Sequence, residues 1–66
     1  MTHYVIYFTW KDGTEDRCVV YGAVRRNMMI NYLLTKENLN EEKEIINISY
    51  CKMYKNGRYG DIIKVI

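Results

Sequence analysis

The sequence predicts an α+β domain with the order ββαββ. Four antiparallel strands, arranged 2-1-3-4, should carry one helix on one face. Three observations point there. The two ends of the chain hold alternating segments rich in aromatic and β-branched residues, as half-buried strands do. Each end is punctuated by a glycine turn, Asp12-Gly13 and Asn56-Gly57. Between them, residues 23–39 contain good helix formers and neither glycine nor proline.

Taken in order, THYVIYFTW (2–10) reads as the first strand, KDGT (11–14) as a turn, and EDRCVVYG (15–22) as a second strand ended by Gly22. AVRRNMMINYLLTKENL (23–39) reads as the helix and NEEKE (40–44) as a polar connector. IINISYCKMY (45–54), KNGR (55–58) and YGDIIKVI (59–66) read as strand, turn and strand. The helix carries the chain from the end of strand 2 to the start of strand 3. Strand 3 can then pair antiparallel with strand 1, and a right-handed crossover fixes the hand. The whole chain, residues 1–66, reads as one domain.

Turn chemistry sets which residues share a face. At Asp12-Gly13, a three-residue loop with a glycine bulge pairs Trp10 with Thr14. That register puts Tyr4, Ile6, Phe8, Trp10, Cys18 and Val20 together, and keeps Arg17 away from Phe8 and Ile6. At Asn56-Gly57, side-chain sorting favours a two-residue type I′ turn. Lys55 would then face Arg58, Tyr54 would face Tyr59, and Lys52 would face Asp61. Tyr50 would meet Ile63 and Ile48 would meet Val65, on an apolar face that includes Ile46.

Size and charge limit the function classes. A chain of 66 residues buries only about 60% of its unfolded surface, so self-association is an expected supplement. At 48% hydrophobic residues the chain should fold, and no apolar run approaches a membrane span. Two cysteines and one histidine fall short of the four ligands of a structural zinc site, so no metal or cofactor is expected. The N-terminus MTHYVIYFTW lacks a basic start and a small-residue cleavage site, which suggests a reducing cytoplasm with Cys18 and Cys51 as free thiols. The net charge is only +2. It is unevenly spread, however, and residues 45–66 carry Lys52, Lys55, Arg58 and Lys64 against Asp61.

Catalysis finds no foothold. His3 has no evident nucleophile beside it, Cys18 is expected among core residues, and Cys51 is expected to be the more exposed thiol. The glutamates of the connector read as a solvated charge run.

Two leftover surfaces point towards binding. On the helix, Ala23, Val24, Met28, Ile30, Leu34 and Tyr32 lie on one broad side, although Asn27 and Asn31 fall within it. Met29 and Leu33 fall opposite, among Arg25, Arg26, Lys36 and Glu37. They are either tolerated exposed residues or contacts for a partner. The sheet face away from the helix carries Val5, Tyr7, Val19, Tyr21, Cys51, Met53 and Ile62. It is either ordinary sheet surface or a protein-binding face. The expected protein-binding residues are therefore Tyr7, Arg17, Val19, Tyr21, Met29, Leu33 and Met53, in a non-enzymatic inhibitor or regulator that covers a partner protein and self-associates. The composition, heavy in Ile, Asn, Lys and Tyr, suits an AT-rich genome, and compact single domains of this length are common among phage and mobile-element products that bind and block a host protein. The alternative is single-stranded nucleic-acid binding, with Tyr54 and Tyr59 stacking on bases and Lys55 and Arg58 near phosphates.

Overall fold

The computed structural model describes residues 2–39 and 44–66, with side chains placed outside 36–39. The expected connector at 40–44 therefore lies outside the described residues except for Glu44, as do the side chains of Lys36 and Glu37. The elements are β1 (His3–Trp10), β2 (Glu15–Tyr21), α1 (Ala23–Leu39), β3 (Ile45–Met53) and β4 (Ile63–Lys64). They form one antiparallel sheet in the order β2-β1-β3-β4, with α1 packed on one face, as the sequence predicts.

The first hairpin has the glycine-bulge register. Trp10 N–H donates to Thr14 O at 2.8 Å, Gly13 N–H donates to Trp10 O at 2.9 Å, and Gly13 sits at φ 92°. Asp12 Oδ1 accepts from the Thr14 amide at 2.9 Å and from its hydroxyl at 2.6 Å. This side-chain closure braces the loop.

The second hairpin differs from the expected type I′ turn. It repeats the first: Tyr54 N–H donates to Arg58 O at 2.8 Å, Gly57 N–H donates to Tyr54 O at 3.0 Å, and Asn56 Oδ1 accepts from the Arg58 amide at 3.0 Å. A type I′ turn would need positive φ at both central residues. Here only Gly57 has it, at 82°, and no non-glycine residue in the described chain does. Tyr54 therefore pairs with Arg58, and Tyr59 pairs with Met53. Gly60 N–H reaches Lys52 O at 2.8 Å, so Lys52 faces Gly60 and the expected Lys52–Asp61 ion pair does not form.

Further in, Tyr50↔Ile63 and Ser49↔Lys64 follow the expected register, so the strand takes up one residue of slack between Gly60 and Ile63. The fourth strand is consequently two residues long instead of eight. Val65 N–H still donates to Ile48 O at 2.8 Å, which keeps the expected Ile48–Val65 contact.

A second irregularity sits opposite Thr9 and Trp10, where Trp10 pairs with Ile45 while Thr9 pairs with Asn47. The extra residue turns Ile46 out to solvent and Ile45 inwards, reversing their expected roles.

The core lies between α1 and the sheet. It comprises Ile6, Phe8, Ile30, Leu33, Ile45 and Ile48, flanked by Trp10, Cys18, Val20, Met29, Leu34, Tyr50 and Val65. This corrects the expected helix stripe. Leu33 is 3% exposed and Met29 is half-buried, whereas Val24 and Met28 are 73% and 65% exposed. The stripe 26, 29, 30, 33, 34 leaves Asn27 and Asn31 in water. Its one polar member, Arg26, is satisfied by lying over rings: its guanidinium carbon is 4.7 Å from the Tyr4 centroid and 4.8 Å from that of Tyr50. The Arg26 Nε and Nη2 also donate to Asn27 Oδ1, at 3.2 and 3.1 Å.

Candidate interaction surfaces

Side chains alternate along each strand, so pairing partners line up in rows across the uncovered face of the sheet. One row runs over three strands and on to the second hairpin: Tyr21 on β2, His3 on β1, Met53 on β3, then Tyr59 ahead of β4. The His3 and Tyr21 rings meet edge to face at 4.4 Å. The next row is Val19, Val5, Cys51, and the one after is Arg17, Tyr7, Ser49, Lys64.

Val5 is 2% exposed and Cys51 is 1% exposed, although α1 packs on the other face of the sheet. Their neighbours roof them over. The Tyr7 side chain hydrogen-bonds that of Cys51, and burial together with the nearby Cys51 and Tyr59 pushes the Tyr7 phenol up from its ordinary value, against a smaller opposing pull from Arg17. The result is a pavement of aromatic and apolar groups, with Val19, Tyr21 and Tyr59 half open to solvent.

Five of the seven expected protein-binding residues thus share this face: Tyr7, Arg17, Val19, Tyr21 and Met53. The other two do not. Leu33 belongs to the core and Met29 packs partly against it, because the helix is rotated from the expected orientation: Ile30 and Leu34 face the sheet as expected, but Leu33 and Met29 join them in place of Val24 and Met28. Tyr59 joins the pavement through the glycine-bulge turn. The Asp/Asn-Gly pattern shared by the two hairpins was the available signal for it.

The basic hairpin is split by the same turn. Tyr59 lies on the uncovered face, while Tyr54 lies on the helix side with Arg26, Tyr4, Tyr50 and Lys52 around a hollow of about 230 Å³. The expected facing pair Tyr54–Tyr59 is not formed, since each pairs with a different residue of the tip. Lys55 and Arg58 are exposed. Tyr54, Lys52 and Lys55 also border a hollow of about 330 Å³ with His3 and Met53.

Cys18 and Cys51 are both free thiols on opposite faces of the sheet. Their exposures reverse the expected order: Cys18 is half-buried and Cys51 fully buried, because the pavement closes over Cys51. Burial pushes the Cys18 thiol up from its ordinary value, as expected of a thiol acting as a small apolar group.

Among the described residues, no group of three or more His, Cys, Asp and Glu could hold a metal ion, and no helix is long and apolar enough to cross a membrane. No family model matches the chain, and no curated protein or solved structure matches it.

Proposed function

We propose that the chain is a small non-enzymatic binding module, an inhibitor or regulator that covers a surface of a protein partner and self-associates. The observation that carries this reading is the pavement itself: Tyr21, His3, Met53 and Tyr59 span the sheet beside Tyr7 and Arg17, over a sealed Val5–Cys51 floor. Protein interfaces favour tyrosine, methionine and arginine anchors on a surface that is already ordered, because little side-chain entropy remains to be lost on docking. Free thiols that cannot reach one another across the sheet fit a cytoplasmic setting. The chain's size and composition fit a phage or mobile-element product.

Tyr59 tests the reading, since it lies away from the β2 side of the sheet. Against a partner captured from the native host, Tyr59→Asp should weaken binding at least 30-fold, in line with loss of a hot spot of about 2 kcal/mol. Far-ultraviolet circular dichroism should be unchanged. Equal capture by wild type and Tyr59→Asp, measured by biolayer interferometry, would rule out this face.

A second reading has one specific observation in its favour. Lys52, Lys55 and Tyr54 converge on one hollow at the hairpin end. If single-stranded nucleic acid binds there, low-salt gel retardation of a short oligonucleotide should be abolished by Lys55→Glu with Arg58→Glu, and should weaken steeply with added salt. Absence of retardation by the wild-type chain at low salt rejects this reading.

A further inference from the structure

The two edges of the sheet are built differently. The β4 edge is blunted: the strand has two residues, an irregular approach and Lys64 on it. β2 has none of these protections. It runs seven residues, pairs regularly with β1 from Tyr21 to Glu15, and contains neither proline nor lysine. The Thr14–Trp10 and Gly22–Thr2 hydrogen bonds fix the alternation along β2. Asp16, Cys18 and Val20 turn their amides towards β1, and Glu15, Arg17, Val19 and Tyr21 turn theirs outwards.

Directly beside this edge, α1 presents Val24, Met28 and Tyr32 at helical spacing. With Val20, Arg25 and Met29 they line an open, mostly apolar hollow of about 520 Å³.

Charge selects the occupant. The hairpin end of β2 is acidic, with Glu15 and Asp16. Its other end runs into the first turn of α1, which has no acidic residue and carries Arg25 on the same flank. Antiparallel pairing with an identical strand sets each acidic end against the partner's helix N-terminus, where negative charge is favoured. The strip is also neutral overall, with Glu15 and Asp16 balancing Arg17 and Arg25.

A two-fold axis perpendicular to the sheet must pass through a residue, because paired residues share a face. Centred on Arg17, it would oppose two guanidinium groups. Centred on Cys18, it would set Asp16 against Val20. Centred on Val19, it matches Val19 with itself, Cys18 with Val20 and Arg17 with the Tyr21 ring, and brings Asp16 beside Gly22.

We propose that β2 pairs with β2 of a second copy about an axis through Val19, giving a continuous eight-stranded sheet flanked by the Val24–Met28–Tyr32 rows of the two helices. The assembly specifies the self-association in the reading above and leaves the uncovered face of each copy free for its protein partner.

The test is the solution mass of the full chain, together with one cross-link. Light scattering at tens of micromolar should give twice the 8.0 kDa of the single chain. Met28→Glu, on an exposed position, should raise the dissociation constant at least tenfold with unchanged circular dichroism and unchanged partner capture. Val19→Cys, in a Cys18→Ser background, should cross-link to itself with a short bismaleimide. A wild-type chain that stays at 8.0 kDa overturns the dimer and leaves the partner-binding face standing. A dimer that Met28→Glu does not weaken and Val19→Cys does not trap sits elsewhere, and overturns the proposal equally.

Discussion

In the dissociated chain, at concentrations below those used for light scattering, Leu33→Ala is expected to lower stability by about 2–5 kcal/mol, while Met28→Ala, five residues earlier on the same helix, should change it by no more than about 0.5 kcal/mol. Leu33 is enclosed by the core cluster and Met28 stands in water, so only the first substitution leaves a cavity. At roughly 0.05–0.15 kcal/mol per residue, the whole chain has about 3–10 kcal/mol to lose. The Leu33 variant should therefore be marginal or unfolded at room temperature. Urea titration followed by circular dichroism checks this, as a fall in midpoint at constant slope. If Met28→Ala proved the damaging change and Leu33→Ala the silent one, the helix would lie on the sheet with the opposite face inwards.

That helix face was not readable from hydrophobic pattern alone, for a physical reason. The stripe that buries Met29 and Leu33 also draws in Arg26, and a buried guanidinium is normally expensive. What makes it acceptable is a feature of the sheet, the Tyr4 and Tyr50 rings that meet its plane. Those tyrosines fall on the helix-facing side of the predicted sheet, so the signal existed, but it joined residues from three separate elements.

The strand order and the first hairpin were legible because local chemistry and side-chain sorting agreed there. The second hairpin was not. Sorting correctly gave Tyr50↔Ile63, and the turn correctly held a glycine at positive φ, yet the two are out of step by one residue. The slack between Gly60 and Ile63 reconciles them, and no residue in GDII announces it. The bulge that exchanges Ile45 for Ile46 is similar, since adjacent isoleucines give sorting nothing to distinguish. Of the candidate site, the five sheet residues were legible from alternation alone. Tyr59 required the turn geometry.

Val5→Asp should be the most damaging single change on the uncovered face, costing several kcal/mol at neutral pH and leaving the chain unfolded. An ordinary solvated sheet face would accept an aspartate with little effect. Here Val5 is 2% exposed between Val19 and Cys51, so a carboxylate would lose nearly all its water, with Arg17 only in the adjoining row. The pH dependence separates this cause from a general loss of strand propensity. Burial raises the folded-state pKa of the new carboxyl above its unfolded value of about 3.9, so below that value both states hold the proton and the charge penalty vanishes. As pH rises, the unfolded chain ionises first, and stability falls until the folded carboxyl titrates. Val5→Asp should thus recover folded ellipticity towards pH 4 and lose it by pH 7, while Val5→Asn, polar but without a titratable group, should show no such recovery relative to wild type. A Val5→Asp chain as stable as wild type at pH 7 would mean that the pavement admits water. The preorganisation on which partner binding depends would go with it.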